Sequence, residues 1–377
     1  METVKGFKDF LGKDAIKRSR IKNILVETFE SFGFEPAETP IIEYENFVKE
    51  NNQNDEVISD LFRLRDKGKR ELALRYEFTF QLKRIIKNKK LPYKRYQIGE
   101  VFRDEPTSKN RFRQFTQCDV DIVGSDFRDE AEILKLCSEV MKRLDIDFKI
   151  LLNSRELLNE ALEELKIDKN KREKVLREID KIKKIGEKKV KENLKSLGAE
   201  KIISFLKKDN PLLKKLKGYK KIVEIIDFCK LYDINISFEP YLTRGLAYYN
   251  GTVFEVVSPK MKESICGGGS YSIKNVKCTG LSFGLDRIAL LSKEKIEITK
   301  SLIISLDEDK ESIKLAQKLR NQGEIVSLYY GKPSKALEYA NSYNFQKVIF
   351  IGKKEVRNNS FNIKDMKSGK ESPSDFN

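Results

Sequence analysis

Between Tyr93 and Gly124 the chain reads YKRYQIGEVFRDEPTSKNRFRQFTQCDVDIVG, and this stretch limits the possible folds more than any other. Two runs of two-residue alternation flank EPTSKN, a loop rich in turn formers, which is the pattern of an antiparallel strand pair. Taken as a strand, RFRQFTQCDVDIV puts Arg111, Arg113, Phe115, Gln117, Asp119 and Asp121 on one face. Phe112, Thr116, Cys118, Val120 and Ile122 fall on the other, mostly apolar face. The preceding YQIGEVFR delivers Arg103 to the turn. Cations at one end of a face and carboxylates at the other suit a ligand with phosphates at one end and a cationic amino group at the other. A half-exposed sheet with a charged solvent side gives the same alternation, so the stretch does not decide alone.

Around it the elements follow in order. Residues 13–32 align Ile16, Ile21, Ile24, Leu25, Phe29 and Phe32 on one side of a helix, and Gly33 is a natural stop. A second helix is expected over 129–144, with Ile133, Leu134, Leu136, Val140 and Met141 inward. From about Glu156 to Leu231 the chain turns lysine-rich, helix-periodic and poor in aromatics, which reads as an inserted helical domain. Strand-like, glycine-rich sequence returns from Asn235 to Leu291. From Thr299 onward the order is β-α-β-α-β and then a hairpin in NNSFNIKDMKSGK, a small α/β domain with helices over a sheet. The expected division is 1–154 and 234–296 as one domain, 155–233 inserted, and 297–377 as the last domain.

Composition removes several classes of function. The 377 residues include no histidine, so the commonest general base and every mixed Cys/His zinc site are excluded. The five cysteines show no CxxC spacing, which suits reduced thiols in a cytoplasm. No apolar run is long enough to span a membrane, and METVKGFKDFLGKDA lacks a signal peptide's apolar core. No GxxxxGK[ST] loop is present. The net charge of +16 favours a polyanionic partner, most simply nucleic acid.

Three further stretches carry polar groups in suggestive order. LRYEFT sets Glu77 beside Thr79 on one side of an extended segment. TRGLAYYNGTVFE puts Arg244 before a pair of tyrosines, Tyr248 and Tyr249. GLSFGLDRIALL is a glycine-rich strand running into a helix that carries Arg287.

Together these stretches resemble a histidyl-tRNA synthetase, a class II aminoacyl-tRNA synthetase, in its archaeal and eukaryotic form. KGFKDFLGKDA is similar to the family's N-terminal signature, and FGFEPAETPIIE to class II motif 1, with Pro40 as its proline. GEVFRDEP…RFRQFTQCDVDIVG resembles motif 2 and GLSFGLDRIALL motif 3. LRYEFT and RGLAYYNGTVFE resemble stretches specific to this family, and they carry the assignment beyond the class.

The resemblance implies an α+β fold: a catalytic domain around an antiparallel sheet, interrupted by the helical insertion, and a C-terminal α/β domain that binds an anticodon. It implies activation of L-histidine by ATP with Mg2+, transfer to tRNA(His), a homodimer, a cytoplasmic location, and no DNA or membrane partner. Arg103 would grip the α-phosphate, Arg111 and Arg287 the outer phosphates, and Glu105 the adenine end. Arg244 would meet the α-phosphate and the substrate carboxylate. Glu77, Thr79 and Gln117 would receive the α-amino group. Asp121 and Tyr249 would bracket the imidazole, with Tyr248 and Tyr271 in the same pocket.

Departures from the family pattern fall in the amino acid pocket. GGGSYS stands where GGRYD is usual, so Ser270 and Ser272 replace an arginine and an aspartate. The segment from there to motif 3 is short, and Ala247 stands where many members have aspartate. A non-catalytic paralogue, acting as a regulatory subunit of histidine biosynthesis or as a tRNA sensor, is the alternative. Such a regulatory subunit typically lacks the C-terminal domain, and such paralogues tend to lose the arginine at Arg244.

Overall fold

Alternation in the 93–124 stretch becomes the centre of a large sheet. A computed structural model of the chain describes residues 2–50, 58–108, 110–243, 248–293 and 299–375. They form two compact units, Met1–Glu294 and Lys295–Asn377.

The first unit is built on eight strands: β1 (Glu35–Pro36), β5 (Tyr93–Phe102), β6 (Gln114–Val123), β7 (Lys149–Ser154), β8 (Ile236–Phe238), β9 (Tyr249–Ser258), β10 (Met261–Ile273) and β11 (Val276–Gly284). Their spatial order is β1-β5-β6-β11-β10-β9-β7-β8. The five inner pairings are antiparallel, and only the short outer strands β1 and β8 pair in parallel. A smaller sheet, order β2-β4-β3, joins β2 (Ile42–Tyr44), β3 (Arg63–Arg65) and β4 (Glu71–Leu74).

One face of the large sheet is apolar and covered by helices. Cys118, Val120 and Ile122 of β6 share a buried cluster with Ile21, Leu25 and Phe29 of helix Gly12–Ser31 and with Ile133, Leu134, Leu136 and Val140 of helix Phe127–Arg143. The second of these starts at a capping box, where the Asp126 carboxylate accepts from the Arg128 and Asp129 amides and the Asp129 carboxylate accepts from the Asp126 amide. The first stops where expected, before Gly33 at φ +78°. The lysine-rich block is a run of helices whose inward residues, among them Val175, Ile179, Val190, Leu194 and Ile202, join the same buried cluster. Among the described residues no helix is long and apolar enough to cross a membrane.

Residues 111–121 do not all belong to one strand. β6 begins at Gln114, so Arg111 and Arg113 sit in the preceding loop, while Phe115 to Asp121 keep the expected alternation. The shortness of the segment after GGGSYS also finds its cause. Ile273 pairs with Val276, and Lys274 and Asn275 turn the chain with φ +47° and +66°, a two-residue hairpin of the type matched to strand twist. The β2-β4-β3 sheet was not expected; its strands are too short and mixed to show periodicity.

The second unit has strand order β13-β12-β14-β15-β16, with β12 (Lys300–Ser305), β13 (Ile325–Tyr330) and β14 (Lys347–Ile351) parallel, and the hairpin β15 (Ser360–Asp365) and β16 (Glu371–Asp375) antiparallel. Ile303 and Ile349 face Leu315 and Ala316 of helix Asp309–Asn321, whereas Leu302, Ile304 and Val348 face Ala336 and Ala340 of helix Pro333–Ser342. This is the expected α/β unit, and the whole chain is α+β.

Close strand packing at the middle of the large sheet requires glycine. A Cβ on Gly268 would lie 1.9 Å from the Gly280 carbonyl oxygen, a backbone atom with nowhere to go. Gly268→Ala is therefore expected to lower the unfolding free energy by about 1–3 kcal/mol, read as a lower urea midpoint at unchanged slope. An unchanged midpoint would show that this part of the ribbon has slack.

Candidate functional site

The polar face of the large sheet forms the floor of a cleft of about 420 Å³. Phe115, Gln117, Asp119 and Asp121 of β6, Tyr271 of β10, and Gly280 and Ser282 of β11 lie along it. From Phe115 to Asp121 the strand covers about 20 Å, enough to separate two chemically different ends.

The first end is cationic. Arg103 follows β5 directly, and its guanidinium lies over the Tyr76 ring at 4.3 Å and the Phe115 ring at 5.1 Å. Two aromatic faces hold that charge in place without neutralising it. Arg287, on helix Leu285–Leu291, donates from Nη1 to the Ser264 carbonyl at 2.7 Å. The N-terminal residue pair of the same helix is tied down by Asp286, which takes an ion pair from Arg18 at 2.5 Å and the Thr116 amide at 3.3 Å. Arg111 is paired with Glu105.

The second end is acidic, and the acids are buried. Glu77, Asp119 and Asp121 are each less than 5% exposed, so the charged face is not a solvated one. Arg95 and Asp121 are cross-strand partners on β5 and β6 and form an ion pair at 2.6 Å. Asp121 also accepts from the Tyr271 hydroxyl. Gly280 stands opposite Asp121 on β11, where a Cβ would come within 2.2 Å of Asp121 Oδ1. Arg95 donates to the Phe78 carbonyl at 3.1 Å, which fixes the bend beyond β4 that carries Glu77 and Thr79.

Burial pushes Glu77 up to about 8, helped by Asp119 and opposed by Arg103. Burial likewise pushes Asp119 up to about 7, with Arg95 opposing and Asp121 assisting. Asp121 is raised by burial against the pull of Arg95 and the Tyr271 hydrogen bond. Burial raises the phenols of Tyr248 and Tyr271 well above their ordinary range, so both are donors, Tyr248 to Glu77 Oε2 at 3.2 Å. The tyrosine rings of 248 and 249 meet tilted by 45° at 4.6 Å, and those of 248 and 271 meet edge-on at 5.5 Å. Glu77 Oε1 and Gln117 Oε1 are buried acceptors with no hydrogen-bond partner. Such atoms are costly unless a ligand donor meets them.

Glu77, Thr79, Arg103, Glu105, Arg111, Gln117, Asp121, Tyr248, Tyr249, Tyr271 and Arg287 thus all line one cleft. Arg244 and Ala247 lie outside the described residues. Arg95 and Ser282 had no expected role, and Asp119 was expected only as one of the carboxylates on this face. Asp119 was visible from its alternation with Gln117 and Asp121; Ser282, which accepts from Gln117 Nε2 at 2.5 Å, is distant in sequence and gave no signal. The departures in GGGSYS are absorbed locally. Ser270 Oγ lies 2.6 Å from Thr252 Oγ1, which bonds the buried Glu130, itself paired with Lys277 at 2.6 Å. Ser272 Oγ accepts from Asn250 at 2.8 Å, and Tyr271 between them keeps its place in the cleft.

Known proteins share both the sequence and this architecture. The family model for histidyl-tRNA synthetase matches residues 6–288, and that for an anticodon binding domain matches 300–376. The chain is 35% identical to histidine–tRNA ligase 1 of Bacillus cereus, an alignment covering 98% of this chain and 96% of that protein. It is 34% identical to the histidine–tRNA ligase of Helicobacter pylori, with 98% and 94% covered. Its structure superposes on a histidyl-tRNA synthetase from Nostoc with a TM-score of 0.86 at 26% identity, covering 99% of this chain and 96% of the other. A protein from Bacillus halodurans described as an ATP phosphoribosyltransferase regulatory subunit/histidyl-tRNA synthetase, at 21% identity and a TM-score of 0.80, shows the shared fold alone. With a family match over most of its length and a relative more than a third identical from end to end, this chain belongs to the histidyl-tRNA synthetase family.

Proposed function

We propose that the cleft joins L-histidine to ATP as histidyl-adenylate and passes the histidyl group to the terminal adenosine of tRNA(His). The observation that carries this reading is the polarity of the cleft: held arginines at one end, buried acids with unpartnered acceptor atoms at the other. The anticodon-binding match over 300–376 favours a tRNA ligase over a regulatory paralogue.

The substrate's α-ammonium would replace the missing partners of Glu77 Oε1 and Gln117 Oε1, with Thr79 beside them. Its imidazole would lie between Asp121 and Tyr249, near Tyr248 and Tyr271. A wrong amino acid leaves these buried groups unpaired, which is how such a pocket discriminates. The substrate carboxylate is already ionised and attacks the α-phosphorus directly, expelling pyrophosphate. No general base is needed, and a chain without histidine loses no catalytic part. Arg103, with Arg244, would meet the charge that develops on the α-phosphate. Arg111 and Arg287 would take the outer phosphates, and Glu105 the adenine end, once nucleotide opens the Glu105–Arg111 pair. Cations fixed before the reaction stabilise that charge without reorganising.

Magnesium would enter with ATP as part of the substrate. Among the described residues no group of three acidic or cysteine side chains forms a metal cage, and this ion is ordinarily held by phosphates with few carboxylates. Residues 1–154 and 234–296 would act as the catalytic domain, with 155–233 inserted and 297–377 reading the anticodon. The motif 2 loop and the insertion would contribute to RNA contact, in keeping with the +16 charge. The work belongs in the cytoplasm. The exposed Ile41, Ile42 and Tyr44, on and next to the segment that resembles motif 1, fit a homodimer interface. Sedimentation equilibrium should return twice the 43.9 kDa chain mass; the single-chain mass would refute the dimer.

Amino-acid-dependent ATP–pyrophosphate exchange is the direct test. Exchange with histidine alone, reduced about 10²-fold or more in Arg244→Ala, is expected. Folded protein that exchanges with none of the twenty amino acids would overturn the reading.

Glu77→Gln separates binding from folding. Loss of a charge-assisted bond to the ammonium should lower kcat/KM for histidine about 10²-fold. Glu77 has a folded pKa of about 8 against the usual 4.5, so the unfolded chain releases its proton first. Its burial therefore weakens the fold progressively as pH rises through that window. The Tm of Glu77→Gln should fall less than that of the parent between about pH 5 and pH 9. A parallel fall in both would mean that Glu77 is not the group titrating.

A further inference from the structure

Two thiols meet where the helix layer touches the cleft wall. Cys137, on helix Phe127–Arg143, and Cys266, on β10, are 129 residues apart in sequence, yet their Sγ atoms lie 3.5 Å apart. Cys137 is fully enclosed and Cys266 is 4% exposed; both thiols sit in the helix-side cluster, on a part of β10 whose stretch Ser264–Gly267 also lines the cleft. None of the five cysteines is in a disulfide. Buried cysteines are ordinarily inert packing residues. Contact between two thiols, one of them on a strand that lines the cleft, sets this pair apart.

We propose that Cys137 and Cys266 are a redox-sensitive pair: a peroxide oxidises Cys266, the one of the two with any exposure, and Cys137 closes it to an intramolecular disulfide that disturbs the phosphate end of the site. The effect on activity rests on the function proposed above; formation of the bond does not.

The step balances. The Cys266 thiolate attacks one peroxide oxygen, the O–O bond breaks, hydroxide leaves, and the sulfur becomes a sulfenic acid. The Cys137 thiolate then attacks that sulfur, the S–O bond breaks, and a second hydroxide leaves. The two protons shed by the thiols convert both hydroxides to water. Two electrons pass from the sulfurs to the peroxide. Access sets the order, because Cys266 keeps a small exposure and Cys137 has none.

Closing the bond moves the strand. A disulfide needs the sulfurs about 2.05 Å apart, so they must approach by about 1.5 Å. The helix is pinned by its capping box and its buried face. β10 has more freedom, since its register with β9 shifts between Met261 and Cys266. Two residues before Cys266, the Ser264 carbonyl holds Arg287 at 2.7 Å. Displacing this anchor by about 1 Å carries the arginine with it, and misplacement of that size typically costs about 10²-fold in rate.

Purified protein is treated with hydrogen peroxide, its remaining thiols are alkylated, and its peptides are mapped by mass. Expected are a linked peptide joining residues 137 and 266, loss of about 10-fold or more of histidine-dependent exchange, and recovery of both with dithiothreitol. ATP and histidine together should slow the linkage by holding the cleft-lining stretch of β10 in place. Cys137→Ser and Cys137→Ala should keep exchange before oxidation, give no linked peptide and escape the reversible loss. Mapping of the parent protein decides the matter even if either variant folds poorly. Absence of the linked peptide at a peroxide dose that oxidises the unfolded chain's thiols would overturn the proposal, as would a linked peptide with undiminished exchange. A protein that links these cysteines but exchanges with no amino acid would instead count against the proposed reaction.

Discussion

A buried arginine and a buried aspartate, opposite one another on neighbouring strands, hold the site together. Arg95 is fully enclosed, and Asp121 faces it across the β5–β6 ladder. Removing either partner would leave the other charge stranded in the sheet, at a cost of about 3–5 kcal/mol. Everything near the acidic end is arranged around the pair. Gly280 opens the space that Asp121 needs, Tyr271 reaches it from β10, and the second reach of Arg95, to the Phe78 carbonyl, fixes the bend that carries Glu77. The ion pair is a poor way to stabilise a sheet. Its value lies in aiming a carboxylate and a tyrosine with their orientations set.

The two ends of the cleft solve different problems. At the cationic end, the Arg103 guanidinium is held by aromatic faces, partners that leave its charge available, and Arg287 is anchored on a backbone carbonyl. At the other end three acids share a space from which water is largely excluded, and each raises the cost of ionising the next. That arrangement weakens the empty protein and strengthens its hold on a cation. The same trade of stability for readiness explains why buried acceptors are left open in an otherwise well-paired core.

Much of this was legible in the sequence because it rests on local alternation. Phe115, Gln117, Asp119 and Asp121 share a face for the simple reason that side chains in strands alternate, and the β-α-β-α-β order of the last unit follows from five short periodic segments. Conjunctions formed by distant strands were not legible. Arg95 sits in YKRYQIGE like any surface arginine, and nothing there shows that it will be enclosed by β6 and the Phe78 bend. The Cys137–Cys266 contact spans 129 residues and has no local trace. The start of β6 at Gln114, rather than at Arg111, reflects backbone pairing: the Arg103 amide bonds the Arg113 carbonyl beyond the last ladder pair, Phe102 with Gln114. Alternation in the residue types could not mark that end.

The two-residue turn at Lys274 and Asn275 has a consequence for how this part of the molecule can change over time. From Cys266 to Phe283, β10 and β11 run as one unbroken ladder, closed with no spare residue at its tip. A single residue added on either strand would slide the pairing by one and turn every later side chain to the opposite face. Tyr271 would then leave the cleft for the helix layer, and Leu281 would point into it. Side chains along the ribbon can be exchanged without moving it, as Ser270 and Ser272 illustrate, but its length can change by one residue only where a bulge takes up the addition.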